Sequence, residues 1–133
     1  METCHQHDCK VFGQLFHARI SVRISLDGSQ SISWAPSIIP DERYRIVPRV
    51  MSTAMVYEII EAYVEAALRL QKAGCDGVEI LAGMGYLVSQ FMNPLTNQRE
   101  DEFGGSLENR LRFLTEILTR TRAKVNADFV IGI

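Results

Sequence analysis

The chain lacks the features that announce several common classes of protein. No run of about 20 apolar residues occurs, so nothing in it reads as a membrane span. The opening residues, METCHQHDCK, hold no apolar core of the kind a secretory leader needs. Charge of one sign is missing too: 14 Lys and Arg stand against 16 Asp and Glu, a formal net charge of −2. That balance gives no electrostatic case for a nucleic-acid partner or an anionic membrane. Cysteine is sparse, with only Cys4, Cys9 and Cys75. An odd count with two near the start does not make a disulfide framework. Reduced thiols in a reducing compartment are the simpler reading, and the cytoplasm is the expected location. No glycine-rich phosphate fingerprint follows the first apolar segment; Gln14-Leu15-Phe16-His17 stands in its place.

What is present suffices for one packed domain. The chain has 133 residues, 47% of them hydrophobic and 23% charged. Val11 to Phe16 reads as a buried strand. Residues 18 to 51, with Pro36, Pro40 and Pro48, read as a long irregular excursion. Ser52 is a good helix cap, and Val56, Ile59, Ile60, Tyr63, Val64, Ala67 and Leu70 follow at helical spacing. Gly74 stands where a glycine ends such a helix. Val78 to Leu81 is a second strand, and residues 82 to 105 form a long loop of the kind that is usually functional. Ser106 caps a second helix with Leu107, Leu111, Leu114, Leu118 and Val125 on one face, and Phe129 to Ile133 is a third strand. The order β-α-β-α-β requires parallel pairing. An open doubly wound sheet and a (β/α)8 barrel share this order, and the missing fingerprint favours the barrel. The expected fold class is therefore α/β, a partial (β/α)8 TIM barrel. A whole barrel takes about 250 residues and eight strands. Residues 1–133 accordingly read as a fragment of a barrel domain, and the stop at Ile133, with no helix to cover the last strand, fits truncation.

The segment from Gly74 to Arg110 is the densest in information, because loops after the C-terminal ends of parallel strands carry the chemistry of α/β proteins. It contains Ala73-Gly74-Cys75-Asp76-Gly77-Val78-Glu79-Ile80, then Gly85-Tyr86-Leu87-Val88-Ser89-Gln90-Phe91, then Asn97-Gln98-Arg99-Glu100-Asp101-Glu102-Phe103-Gly104-Gly105-Ser106-Leu107-Glu108-Asn109-Arg110. Upstream stand Lys10-Val11-Phe12-Gly13-Gln14-Leu15-Phe16-His17 and Ala35-Pro36-Ser37. In this order the motifs resemble the old yellow enzyme family, the FMN-dependent NADH:flavin oxidoreductases, nearest its 2,4-dienoyl-CoA reductase-like and enoate reductase-like members. The resemblance covers nearly the whole chain and places it from just before the third barrel strand to the fifth. It implies FMN as cofactor, NADH or NADPH as reductant, and a small-molecule substrate with an activated alkene. An iron–sulfur cluster would belong only to a longer parent protein.

The resemblance also assigns roles. It gives the Gln14 amide to the flavin's pyrimidine edge; on the residues alone, a buried glutamine serving backbone groups is an equal alternative. It makes Tyr86 the catalytic proton donor, a task that suits a phenol because phenols keep their proton at neutral pH. Without the motif, Tyr86 reads as an aromatic packed into the barrel mouth. Leu81 and Met84 depart from the pattern, since many members carry there a pair of His or Asn side chains that donate to the substrate. Leu has no donor and Met is at best a weak acceptor. Asn97 and Gln98 are candidates for substrate binding, with a loop brace as the alternative for Asn97. Asp101, Glu102, Glu108 and Arg110 organise the loop and the helix start. His17-Ala18-Arg19 appears without the glycine usual there, which weakens any family role for His17 or Arg19. The family's flavin-binding Arg after strand five would fall beyond Ile133, as would the phosphate-binding segments.

Two other readings stand beside this one. A catalytically inactive barrel remnant would serve as a structural or interaction module, because bare sheet edges invite self-association. A small metal-binding protein would use Cys4, His5, His7 and Cys9, although their spacing is too compressed for a known zinc pattern, and no metal site is expected.

Overall fold

Residues 1–18, 32–40 and 46–133 are described in the computed structural model of the chain, so Arg19 lies outside the described residues. A single turn, α1 (Glu2–His5), precedes the first strand, β1 (Phe12–Leu15). Alternation gives β1 two faces: Phe12 and Gln14 are exposed, while Gly13 and Leu15 are half-buried. The excursion that follows contains two short strands, β2 (Trp34–Ala35) and β3 (Arg49–Val50), paired in parallel. This corrects the expectation of wholly irregular structure there. Two residues per strand leave no periodicity for a sequence to display.

The first long helix, α2 (Thr53–Lys72), begins where its cap predicts: Ser52 Oγ accepts the N–H of Met55. It buries Val56, Ile60, Tyr63, Val64 and Ala67, and it ends just before Gly74, whose φ is +89°. The strand β4 (Gly77–Ile80) then pairs in parallel with β1, placing Gln14 opposite Glu79. Residues 82 to 105 are not loop throughout, because a short helix, α3 (Leu87–Met92), lies inside them. Ser106 Oγ accepts the N–H of Asn109 and starts α4 (Leu107–Lys124). Last comes β5 (Val130–Gly132), parallel to β4, so the sheet order is β1-β4-β5.

The core lies on one side of this sheet. Val78 and Ile80 are wholly buried with Ile60, Phe113 and Ile117 of the two long helices. Phe91 stacks on Phe113 at 4.3 Å between ring centroids, and Phe103 meets both Phe91 and Tyr57 edge-on. Burying each such ring stabilises the fold by about 1.5–3 kcal/mol. The buried face of α4 is Phe113, Leu114, Ile117 and Thr121. Leu107, expected in that face, is 60% exposed. It is the first helical residue after the cap and lies a full turn before the aromatic cluster begins. On its other side the sheet leaves Phe12 and Val130 exposed; Phe16, just past the end of β1, is also exposed and lines a groove with Ile59, Ala62 and Tyr63 of α2. The architecture is thus α/β, with parallel strands and the long helices on one face; the described residues form no closed barrel.

Candidate active site

Gln14 reaches the open face of the sheet because its neighbour Gly13 faces α2, where a Cβ would strike the Leu70 side chain. Gln14 is exposed, and its Nε2 donates to Glu79 Oε1 at 2.6 Å across the β1–β4 pair. The motif reading left Glu79 without a role. Strand alternation was its only sequence signal, since Glu79 is flanked by the buried Val78 and Ile80.

Tyr86 is placed by a tight turn. The Tyr86 N–H donates to the Gly83 carbonyl at 3.2 Å, and the two residues between, Met84 and Gly85, have φ of +58° and +76°. Two consecutive positive φ values are the pattern of a type I′ turn. Tyr86 then caps α3 without a side-chain bond, and its carbonyl accepts from Ser89 Oγ at 2.8 Å. The next residue, Leu87, donates its N–H to the His17 carbonyl, which ties the start of α3 to the end of β1. The Tyr86 ring consequently lies against Phe16, with centroids 5.2 Å apart. Phe16 follows the last residue of β1, so the phenol lies at the C-terminal end of the strand that carries Gln14. His17, half-buried at that rim, has its pKa lowered by burial. Leu81 is half-buried, and Met84 is 85% exposed. Neither side chain offers a hydrogen-bond donor.

The loop beyond α3 is held from within. Asn97 is buried, and its Nδ2 donates to the carbonyls of Phe91 at 2.6 Å and Phe103 at 2.7 Å. Its Oδ1 accepts the N–H of Arg99. Both amide protons are spent on backbone, which serves the loop-brace alternative and leaves none for a substrate. Gln98 is exposed, and its backbone N–H donates to Ser37 Oγ at 2.8 Å. It lines an open groove of about 440 Å³ with Pro36, Ser37, Ile38 and Arg99.

Arg99 is the knot of the loop. It is 7% exposed at the side chain, pairs with Asp101 at 2.5 Å, and donates to the Met51 carbonyl at 2.6 Å. Asp101 also accepts from Thr53 Oγ1 and from the Phe103 N–H. The Arg99 guanidinium, with Thr53 and the Phe103 amide, holds the Asp101 carboxyl down at about 2. Arg110 donates to the Met92 and Gly105 carbonyls and so ties α3 to the start of α4. Glu102 accepts from the Tyr57 hydroxyl at 3.0 Å.

The Cys/His cluster sits at the opposite end of the sheet, ahead of β1 and β4. His5 Nε2 lies 2.8 Å from the Asp76 carboxylate, which also takes Lys10 Nζ and the Val11 N–H. These three donors hold Asp76 well below the usual carboxylate range. Cys9 Sγ donates to the His7 carbonyl, and no group of three or more metal-ligand side chains converges among the described residues.

The model of the NADH:flavin oxidoreductase / NADH oxidase family matches residues 1–133. An NADH oxidase of Thermoanaerobacter brockii is 39% identical over 132 residues, 98% of this chain and 20% of that protein. An NADPH dehydrogenase of Halalkalibacterium halodurans is 43% identical over 119 residues, 90% of this chain and 33% of its own length. Among solved structures, the old yellow enzyme homologue from Zymomonas mobilis superposes with a TM-score of 0.84 at 28% identity, covering 98% of this chain and 39% of that one. A 2-naphthoyl-CoA reductase, in complex with 2-naphthoyl-CoA, superposes at 0.82 with 31% identity, covering 98% of this chain and 22% of that one. The chain thus spans about a fifth to two-fifths of the length of these relatives.

Proposed function

The chain belongs to the NADH:flavin oxidoreductase / NADH oxidase family, and from that premise we propose that it supplies the third to fifth strands of a (β/α)8 barrel enzyme. That enzyme is an FMN-dependent NAD(P)H oxidoreductase that reduces an activated C=C bond. The observation that supports the reading is that Gln14, on the open face of β1, and Tyr86, against Phe16 just past the end of that strand, belong to the same strand end.

The residues present fit a flavin. An exposed amide has both a donor and an acceptor to offer a pyrimidine edge, and Phe16 and Tyr86 offer aromatic surface at the end of the same strand. Bound there, FMN supplies the hydride chemistry that links the nicotinamide to the acceptor. Gln14 orients the cofactor. Tyr86 holds a proton on its hydroxyl oxygen and delivers it to the substrate's α-carbon as negative charge develops there. Gln98, exposed beside its groove, is the remaining candidate for substrate contact on this loop.

The absence of donors at Leu81 and Met84 bears on the substrate. An enone gripped through its carbonyl oxygen at these positions would find no partner. The reading favours an enoate or an acyl-CoA thioester held by groups elsewhere in the barrel, and the likeness to a 2-naphthoyl-CoA reductase supports the thioester class.

Tyr86→Phe, made in the longest gene product that carries this chain, tests the assignment. Stopped-flow measurement should show alkene reduction slowed by about 100-fold or more, while flavin reduction by NADH or NADPH changes less than about twofold. Equal slowing of both half-reactions would remove Tyr86 as the proton donor.

A further inference from the structure

The geometry points to Glu79 as a positioning residue that fixes which end of the Gln14 amide faces the flavin. This rests on the reading of Gln14 as a flavin contact. A glutamine amide has two ends of nearly equal size and opposite hydrogen-bonding character. Its neighbours decide which end a ligand meets. Here the parallel register sets Gln14 directly across from Glu79, on the sheet face turned away from α2 and α4. The contact between Gln14 Nε2 and Glu79 Oε1 measures 2.6 Å.

The asymmetry of the pair does the selecting. An ionised carboxylate only accepts. Were the amide reversed, its oxygen would face the carboxylate oxygen with no proton between them. Glu79 therefore turns the amino end of Gln14 toward β4 and leaves Oε1 and one amino proton for a ligand. A flavin's pyrimidine edge alternates N–H and carbonyl groups, and it needs an acceptor and a donor in a defined order. Strand alternation puts both side chains on outward faces, since Gln14 and Glu79 each sit between residues of the opposite face, and the register makes them partners.

A double-mutant cycle on FMN dissociation constants, read by flavin fluorescence in the longest gene product carrying this chain, separates the possibilities. Glu79→Gln keeps the shape but can donate or accept, so both orientations of Gln14 become populated. It should weaken FMN binding by about threefold to tenfold in the parent background. In a Gln14→Ala background the same substitution should change the constant by less than about twofold. An equal loss in both backgrounds would overturn the proposal while leaving Gln14 as a flavin contact, and so would no loss in either once Gln14→Ala alone is seen to weaken binding. If Gln14→Ala leaves FMN affinity unchanged, the reading of Gln14 itself fails and takes the proposal with it. Should Glu79→Gln not fold, Glu79→Asp withdraws the acceptor by one methylene and is expected to give the same pattern, with the same outcomes against it.

Discussion

Met84 occupies a backbone conformation that its side chain does not favour. Its φ of +58° costs a residue with a Cβ about 1 kcal/mol, and with 85% of the residue exposed there is little burial to offset it. Asn enters this region more readily, because its short polar side chain bonds locally. Met84→Asn should therefore stabilise the protein by about 0.5–1 kcal/mol, read as a higher midpoint of urea unfolding with an unchanged slope. A lower midpoint would show that Met84 makes contacts that outweigh the strain. The turn matters at this scale because it hands the chain directly to Tyr86, and the N–H that closes it is Tyr86's own. Gln14, on the other side of the rim, depends on its partner in the same way.

At the scale of elements, the loop between α3 and α4 is held by a few polar groups rather than by regular structure. Arg99 joins it to the segment around Pro36, to Met51 and to Thr53 at the start of α2. Gly104 belongs to the same design: a Cβ there would lie 2.0 Å from the Arg99 carbonyl oxygen, so only glycine lets the two backbone segments approach. The Asp101 carboxyl, held at about 2 against an ordinary value of 3.8, stabilises the folded state only while ionised. That stability is fully present above pH 4 or so and drains away as pH falls toward about 2. Urea unfolding between pH 5 and pH 2 should show a loss of at most about 2 kcal/mol from this group, and Asp101→Asn should flatten that part of the profile. An identical profile in the variant would contradict the role given to Asp101.

The elements also show what a sequence discloses. Ser52 and Ser106 announced their helices because a hydroxyl at the cap is a local signal, and the structure has both bonds. The helix α3 gave no such signal: Tyr86 caps it without a side-chain bond, and its six residues span too few turns to show a period. Leu107 misled because heptad-like spacing continues past the point where the helix still has something to pack on. The strand that carries Gln14 was legible from its apolar residues. The bond from Gln14 to Glu79 was not, since register between distant strands is a tertiary fact. Asn97 drew notice for its loop position, yet its direction, inward to the Phe91 and Phe103 carbonyls, depends on where two separate backbone segments meet.

For the whole molecule, the decisive feature is a parallel sheet that the described residues cover on one face only. The two edge strands of its three-stranded sheet, β1 and β5, and the exposed Phe12, Phe16 and Val130 offer bonds and apolar surface to another chain. The 133-residue chain produced alone is thus expected to self-associate, with a sedimentation coefficient that rises with concentration; a strictly monomeric species at all concentrations would contradict this. The central claim is that this open face, from Gln14 to Tyr86, is where a flavin lies. A crystal structure of the longest gene product carrying the chain, grown with FMN and a substrate analogue, tests it most directly. The account predicts the pyrimidine edge within hydrogen-bond reach of the Gln14 amide and the Tyr86 hydroxyl beside the analogue's α-carbon. A flavin bound elsewhere, with Tyr86 remote from both ligands, would contradict it.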